Sequence, residues 1–504
     1  MILNFAHLKI TIHTFNMRNL LFLTFILLSV STTAQTLSNL FKQQKNGYEI
    51  NGEITGLKDT SVMLAYYFGG KQYATDTSVV TNGKFSFKGD KELKGGMYLV
   101  VLSESKYFDL IVSEQYFSFT TNIEDLIGSM KFKNSQENTP FYEYLNFITD
   151  MQKEVTPIRQ QLETAEGDTK EALQKKASAI DVKVKKFRSD FMINNKDKFF
   201  SKIITATTEI EIPEAPLDSA GNPDKNFPYL FYKKHFWDNI DFSDARMLRT
   251  PMFFNKMDQY LEKLTAKHPD SINVSADVLV NLSKANGEIF QYVVSYITST
   301  YERSKIMGMD AVFVHMVEKY YITNQCDWVD STQLVKIADR AQKIAPNLIG
   351  RKASEFLDFY GRPFMKDPSG VLHTLQEIKA DYTVLVFFGP TCGHCKKEMP
   401  KIKNDVDSLT SIGYDIKTFA VATEFDKEEW QKFINDQKTG DWINVADINH
   451  DEEGNPVASS DWRDKYDIYS TPVIYLLDQE KKIIAKRITH KQIVEIVSRL
   501  EEKN

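Results

Sequence analysis

The spacing of apolar residues changes twice along this 504-residue chain, and each spacing demands a different fold. From about residue 47 to 135, apolar and polar residues alternate with period two. From about 138 to 343 the apolar residues recur at intervals of three and four. From about 345 to 504, short apolar runs take turns with amphipathic ones. Strand side chains share a face every second residue and helix side chains every 3.6, so one architecture cannot serve all three. At roughly 150 residues per domain the length also suits three domains. The expected class is therefore multidomain: a small β-sandwich, an all-α helical domain and an α/β domain.

A targeting signal precedes these segments. Arg18 stands before the apolar run Leu20 to Val30, and Thr32 and Ala34 supply small residues before Gln35. This is the layout of a cleaved secretory signal, so residues 1–34 are expected to be removed and the chain exported. Met17 is an alternative start. No cysteine follows the apolar run, which excludes a lipoprotein anchor; an uncleaved run would act as a membrane anchor. The rest is ordinary for a globular protein, with 42% hydrophobic and 26% charged residues. That composition excludes intrinsic disorder and a multi-span membrane protein. The 62 basic and 68 acidic residues are well mixed, so nucleic acid is not an expected partner. Three cysteines, Cys326, Cys392 and Cys395, cannot staple a chain this long, and the fold must rest on apolar cores.

In the first segment, residues 47–135, seven or eight short strands are predicted. Gly69-Gly70 and Asn82-Gly83 are read as hairpin turns, because both pairs tolerate positive φ. No cluster of His, Asp, Glu or Ser suggests a site there. In the second, residues 138–343, Asp168 and Glu171 suggest a capping box, followed by a core stripe of Leu173, Ala177, Ile180, Val184, Phe187 and Phe191. A proline-rich loop from Pro213 to Pro228 divides this region. The aromatic segment 232–251 reads as packed side chains, with His235 structural. Cys326 has no partner at a recognisable spacing and reads as a half-buried thiol.

The third segment, residues 345–504, carries the chemistry. VLVFF (384–388) is apolar at every position, as a strand covered on both faces should be. A helix is expected at 393–411, strands at 417–423, 442–448, 471–478 and 482–488, and helices at 426–436 and 491–502. Cys392-Gly393-His394-Cys395 lies between the apolar strand and the helix, which makes it a redox candidate. Cys392 would sit at the helix N-terminus, where free N–H groups and the helix dipole favour a thiolate. The thiolate is the nucleophile. Cys395, deeper in the helix, is suited to resolve the mixed disulfide. Zinc would need four ligands, and the cysteines with His394 offer three at most. Lys396 stands where a c-type haem needs histidine. No metal and no cofactor are expected.

FFGPTCGHCKKEMP and Ser470-Thr471-Pro472 resemble the two landmarks of the thioredoxin superfamily, in its exported TlpA/ResA-like branch of thiol:disulfide oxidoreductases. The three-part chain is similar to multidomain Bacteroidetes members whose N-terminal domains have unknown function. The resemblance implies that Glu398 lies beneath the redox pair as a partly desolvated carboxylate of raised pKa that exchanges protons with the buried thiol. It also implies that Pro400 kinks the active-site helix. Pro472 would be cis beside the disulfide, and the backbone of Thr471 would bind the partner's chain. Two positions depart from the pattern: Thr391 stands where the family usually has tryptophan, and Val386 where thioredoxin has a buried aspartate.

The expected function is exported thiol–disulfide exchange with disulfide- or dithiol-containing exported proteins. The branch favours a reductase supplied by a membrane electron donor in the periplasm. Gly393-His394 favours an oxidising or isomerising pair, because an imidazolium beside the thiolate stabilises the reduced form. A different reading is a scaffold in which the thioredoxin-like domain only recruits partners.

Overall fold

The computed structural model describes residues 46–424, 426–454 and 457–502. The expected signal, residues 1–34, lies outside them. Among the described residues, no helix is long and apolar enough to cross a membrane. The described residues divide into two compact units, one ending at Ser201 and the other beginning at Lys202.

The first unit begins with strands β1 (Tyr48–Thr55), β2 (Ser61–Phe68), β3 (Lys71–Val79), β4 (Lys84–Gly89), β5 (Gly96–Ser103), β6 (Lys106–Val112), β7 (Tyr116–Asn122) and β8 (Lys131–Lys133). They form two four-stranded sheets, ordered β4-β1-β7-β8 and β3-β2-β5-β6. Gly69 and Gly70 take φ of 58° and 75° and turn β2 into its antiparallel partner β3. The turn at Asn82 and Gly83 also has positive φ and closes as expected, with Thr81 and Lys84 exchanging both backbone hydrogen bonds at 2.9 and 3.0 Å, though the strands do not pair beyond that bridge. The turn passes the chain between sheets, because β4 pairs with β1 instead of β3.

Two long helices complete this unit, α1 (Asn138–Leu162) and α2 (Gly167–Asn194). The helical region therefore does not separate from the strands at residue 138; its first two helices belong to the β-containing unit. Phe147 and Phe187 stack at 3.7 Å between the two helices. Leu173, Ile180 and Phe191 of the expected stripe are buried. The expected capping box at Asp168 is absent. α2 starts one residue earlier, at Gly167, and the N-cap Glu166 makes no side-chain cap bond. Gly167 has a φ of 55°, which turns the chain into the helix ahead of Asp168. Asn138 joins helix to sheet: its amide accepts from the Ile111 N–H at 2.8 Å and donates to the Ile111 carbonyl at 2.7 Å.

The second unit holds the remaining helices and the α/β domain. Its helices are α3 (Phe199–Ala206, which spans the division), α4 (Phe227–His235), α5 (Pro251–Asp258), α6 (Pro269–Ser283), α7 (Gly287–Glu302), α8 (Asp310–Met316) and α9 (Ser331–Ile344). The aromatics after Tyr232 pack as expected: Phe236 stacks on Tyr260 at 5.5 Å, and Trp237 meets Phe242 at 5.5 Å. His235 pairs with Asp238 at 2.6 Å.

The α/β domain has one five-stranded sheet of β9 (Tyr382–Phe388), β10 (Ile416–Ala422), β11 (Ile443–Ala446), β12 (Val473–Leu477) and β13 (Ile483–Lys486), in the order β11-β10-β9-β12-β13. β9, β10 and β11 run parallel, while β12 and β13 are antiparallel to their neighbours. Every side chain of central β9 is buried. Val384, Val386 and Phe388 enter one core, with α10 (Gly393–Ser411), α11 (Lys427–Asp436) and α13 (His490–Glu501) packed over it. Leu385 and Phe387 enter the core on the opposite face, with Trp462 of the short α12 (Trp462–Lys465).

Asn138 offers a direct test of how the first unit is held together. Asn138→Ala leaves the Ile111 N–H and C=O buried without partners, at about 1–3 kcal/mol for each such group. We expect the urea midpoint of the first unit to fall by an amount matching about 2–4 kcal/mol.

Candidate functional site

The site forms where β9 ends and α10 begins. Burial of β9 on both faces fixes its C-terminal end, and Gly389-Pro390-Thr391 carries the chain to Cys392. Cys392 is the N-cap of α10, with extended backbone (φ −65°, ψ 115°). Its sulfur accepts the Cys395 N–H at 3.4 Å, one of the donors that a helix start leaves free. Cys392 is part-exposed, whereas Cys395 is fully buried and packs in the core with Met399 and Ile402. Both are free thiols.

The two sulfurs differ in acidity. Burial works to raise the Cys392 pKa. Hydrogen bonding with Thr471, with Cys395 and with the His394 N–H outweighs it and holds the thiol below its ordinary value. For Cys395 burial dominates and pushes the thiol up to about 12. Position along one helical turn thus separates a thiolate-prone sulfur from a protonated one.

Thr471, which precedes Pro472, faces this pair. The Thr471–Pro472 peptide bond is cis, and the Thr471 carbonyl lies 3.6 Å from the Cys392 sulfur. Gly393 and His394 are exposed on the first turn. Pro400 stands inside α10, which runs on to Ser411. Lacking an N–H, it leaves the Lys396 carbonyl without its usual helical donor.

Glu398 differs from its expected state. Its pKa is lowered, not raised, chiefly because the Lys401 ammonium bonds its carboxylate at 2.7 Å. Lys401 lies one turn on along the same helix, and the Glu398 side chain retains 22% exposure. Desolvation, which would keep a proton on this carboxyl, is outweighed by that bond.

Cys326 is buried and bonds the Tyr320 carbonyl at 3.5 Å. Burial pushes its thiol up to about 12, so it is not a thiolate near neutral pH.

Sequence reasoning missed Glu424, just beyond β10. Its carboxylate accepts the Thr391 N–H at 3.1 Å and the Thr391 hydroxyl at 3.0 Å. No motif signals this residue; only strand register brings it there. The Thr423 N–H bonds the Phe388 carbonyl at 2.8 Å and so sets Glu424 against the active-site loop.

This geometry agrees with the comparisons. Residues 350–486 match the model of the AhpC/TSA family. Through this domain the chain belongs to the thioredoxin-like thiol:disulfide oxidoreductases. Residues 48–141 and 167–347 match two domains of unknown function, DUF4369 and DUF5106. Among solved structures, a domain of a possible thiol-disulfide isomerase from Cytophaga hutchinsonii is 35% identical. The match covers 31% of this chain and 95% of that one, with a TM-score of 0.26. A thioredoxin-like protein from Bacteroides caccae is 18% identical over 58% of this chain and 99% of its own, with a TM-score of 0.41. A thiol-disulfide oxidoreductase from Bacteroides fragilis is 18% identical over 30% of this chain and 99% of its own, with a TM-score of 0.25. No curated protein matches the chain.

The sulfur asymmetry predicts a pH profile. Attack on a disulfide by the free dithiol should rise with pH and level off below the ordinary thiol range of about 8.5, because only the Cys392 thiolate attacks. A profile still climbing beyond that range would remove the depressed Cys392 pKa. Cys326→Ser should give the same profile and nearly the same rate, measured with one small disulfide.

Proposed function

We propose that this protein is an exported thiol:disulfide reductase in which Cys392 attacks and Cys395 resolves. The observation that carries the two-cysteine reaction is the pairing of a part-exposed, thiolate-favouring Cys392 with a buried Cys395 of raised pKa, while the reductase direction rests on the resemblance to the exported TlpA/ResA-like branch. The Cys392 thiolate attacks one sulfur of a partner disulfide. A bond forms to Cys392, and the partner's other sulfur leaves as a thiolate. Cys395 gives its proton to the partner thiolate just released and attacks the Cys392 sulfur. The mixed disulfide breaks, the second partner thiolate leaves, and a Cys392–Cys395 disulfide remains. Two electrons have passed to the partner. Nucleophilicity rises with thiol pKa, so Cys395, once deprotonated, drives release of the reduced partner. A membrane-bound dithiol donor would return the disulfide to the reduced state. In this reading the backbone of Thr471 receives the partner's extended chain beside Pro472, and Gly393 and His394 tune the potential.

The secretory layout of residues 18–34 supports export to the periplasm and partners among exported proteins. The β-rich segment is read as a sandwich, because Phe108 of one sheet and Phe119 of the other lie 5.5 Å apart.

One observation favours a second direction. Stabilising the Cys392 thiolate stabilises the dithiol form, which makes the disulfide a better oxidant. Equilibration with a glutathione buffer separates the two. A reductase should lie near the thioredoxin value of about −270 mV, and an oxidase or isomerase between about −180 and −120 mV. The reaction itself is tested by Cys395→Ser. This variant should stall as a mixed disulfide through Cys392 when mixed with exported proteins, read as a thiol-reversible adduct by mass spectrometry. Full turnover by Cys395→Ser, or no adduct from a folded variant, would overturn the two-cysteine reaction.

A further inference from the structure

The loop that delivers Cys392 is held by a side chain outside the CxxC motif. Both donors of Thr391, the backbone N–H and the hydroxyl, point to the Glu424 carboxylate, at 3.1 and 3.0 Å. Each carboxylate oxygen takes one of them. The same carboxylate occupies the space beside Gly389. A Cβ there would stand 2.5 Å from Glu424 Oε1 and 3.3 Å from the Cys392 Cβ. Glycine at 389 therefore lets the carboxylate reach the loop. Across the site, Arg463 is half-buried over the Trp462 ring at 5.4 Å, and the charges of Asp447 and Glu424 both act on it. Hydrogen bonds to a carboxylate are short and directional, and a two-point bond fixes orientation as well as distance. Within the loop, the Cys392 N–H also bonds the Gly389 carbonyl at 3.1 Å.

We propose that Glu424 is a positioning residue for thiol–disulfide exchange, which by gripping Thr391 holds the Cys392 sulfur against the first turn of α10 and against Thr471. The proposal rests on Cys392 being the attacking thiol. The sulfur draws its bond from the Cys395 N–H at 3.4 Å, a contact that survives only while the loop before it stays in place. Thr391 is the residue that makes the grip. A side chain without a hydroxyl at 391 would keep one donor and lose the other, and Glu424 would no longer have a partner for each oxygen.

The test uses the full chain and four variants: Thr391→Val, Thr391→Ser, Glu424→Gln and the double variant Thr391→Val with Glu424→Gln. Two quantities are followed in samples whose melting curves show them folded: the rate of attack on a small aromatic disulfide, and the pH midpoint of thiolate absorbance. Small misplacements of a reacting group cost up to two orders of magnitude in rate. We expect Thr391→Val to slow attack by roughly tenfold and to move the thiolate midpoint upward, since the sulfur loses N–H contact. Thr391→Ser keeps the hydroxyl and should restore both. Glu424→Gln should slow attack to a similar degree, and the double variant should be no slower than either single one, because both remove one grip. Unchanged rates in Thr391→Val and Glu424→Gln, additive losses in the double variant, or a Thr391→Ser variant as slow as Thr391→Val would each overturn the grip. An unsubstituted chain that fails to attack, or keeps attacking after Cys392→Ser, would instead overturn the assignment of Cys392.

Discussion

Burial of β9 on both faces is the constraint from which the site follows. A strand covered on one side could shift or tilt. Here Val384, Val386 and Phe388 are locked in one core and Leu385 and Phe387 in the other, all without exposure. The end of the strand is then a fixed point, and the next few residues must climb out of the sheet into α10. The helix in turn is pinned by Met399, Ile402, Val406 and Leu409, which enter the same core as Val384. Cys395 belongs to that row of core residues. It is buried because its helix is packed. Cys392 is part-exposed because it precedes the packed stretch.

The chemistry is therefore a by-product of ordinary packing laid across a helix terminus. One helical turn separates a sulfur that meets unpaired N–H groups from a sulfur that meets hydrocarbon. Hydrogen bonding lowers the pKa of the first, and desolvation raises that of the second. Neither effect requires a catalytic base. The carboxylate nearest in sequence, Glu398, is engaged by Lys401 on its own helix face and is held in its charged form.

The legible parts of this structure are those written in local periodicity. β9 runs from Tyr382 to Phe388 because seven adjacent residues suit a buried strand, and α10 covers the expected span. The glycine pair at 69–70 announced its turn through positive φ. What could not be read was set by partners distant along the chain or by competition within a turn. Asn82-Gly83 closes its turn, yet strand pairing sends β4 to the other sheet. Asp168 has the spacing of a cap, yet Gly167 already turned the backbone into the helix. Glu398 has the position of a desolvated acid, yet Lys401 one turn away bonds its carboxylate and lowers its pKa. Glu424 stands 33 residues from Thr391 and reaches it only through the parallel register of β9 and β10.

The same unit ties the α/β domain to the preceding helices through charge. Lys486, buried on β13, pairs with Asp310 at the start of α8. Asp467 receives Arg340 of α9 at 2.6 Å and Arg487 at 2.7 Å. Asn347 donates to the Lys465 carbonyl at 2.5 Å. Buried ion pairs recover little net energy after desolvation, but losing one partner leaves a charge stranded in low dielectric. The α/β domain thus carries, on its β13 side, a lysine whose burial presumes a carboxylate from the helices. Burial lowers the Lys486 pKa even with Asp310 present. An α/β domain cut away from the helices would keep Arg487 on Asp467 but would lose Asp310 and Arg340. Helices α8 and α9 therefore supply the charges with which the buried Lys486 and Asp467 of the α/β domain are paired.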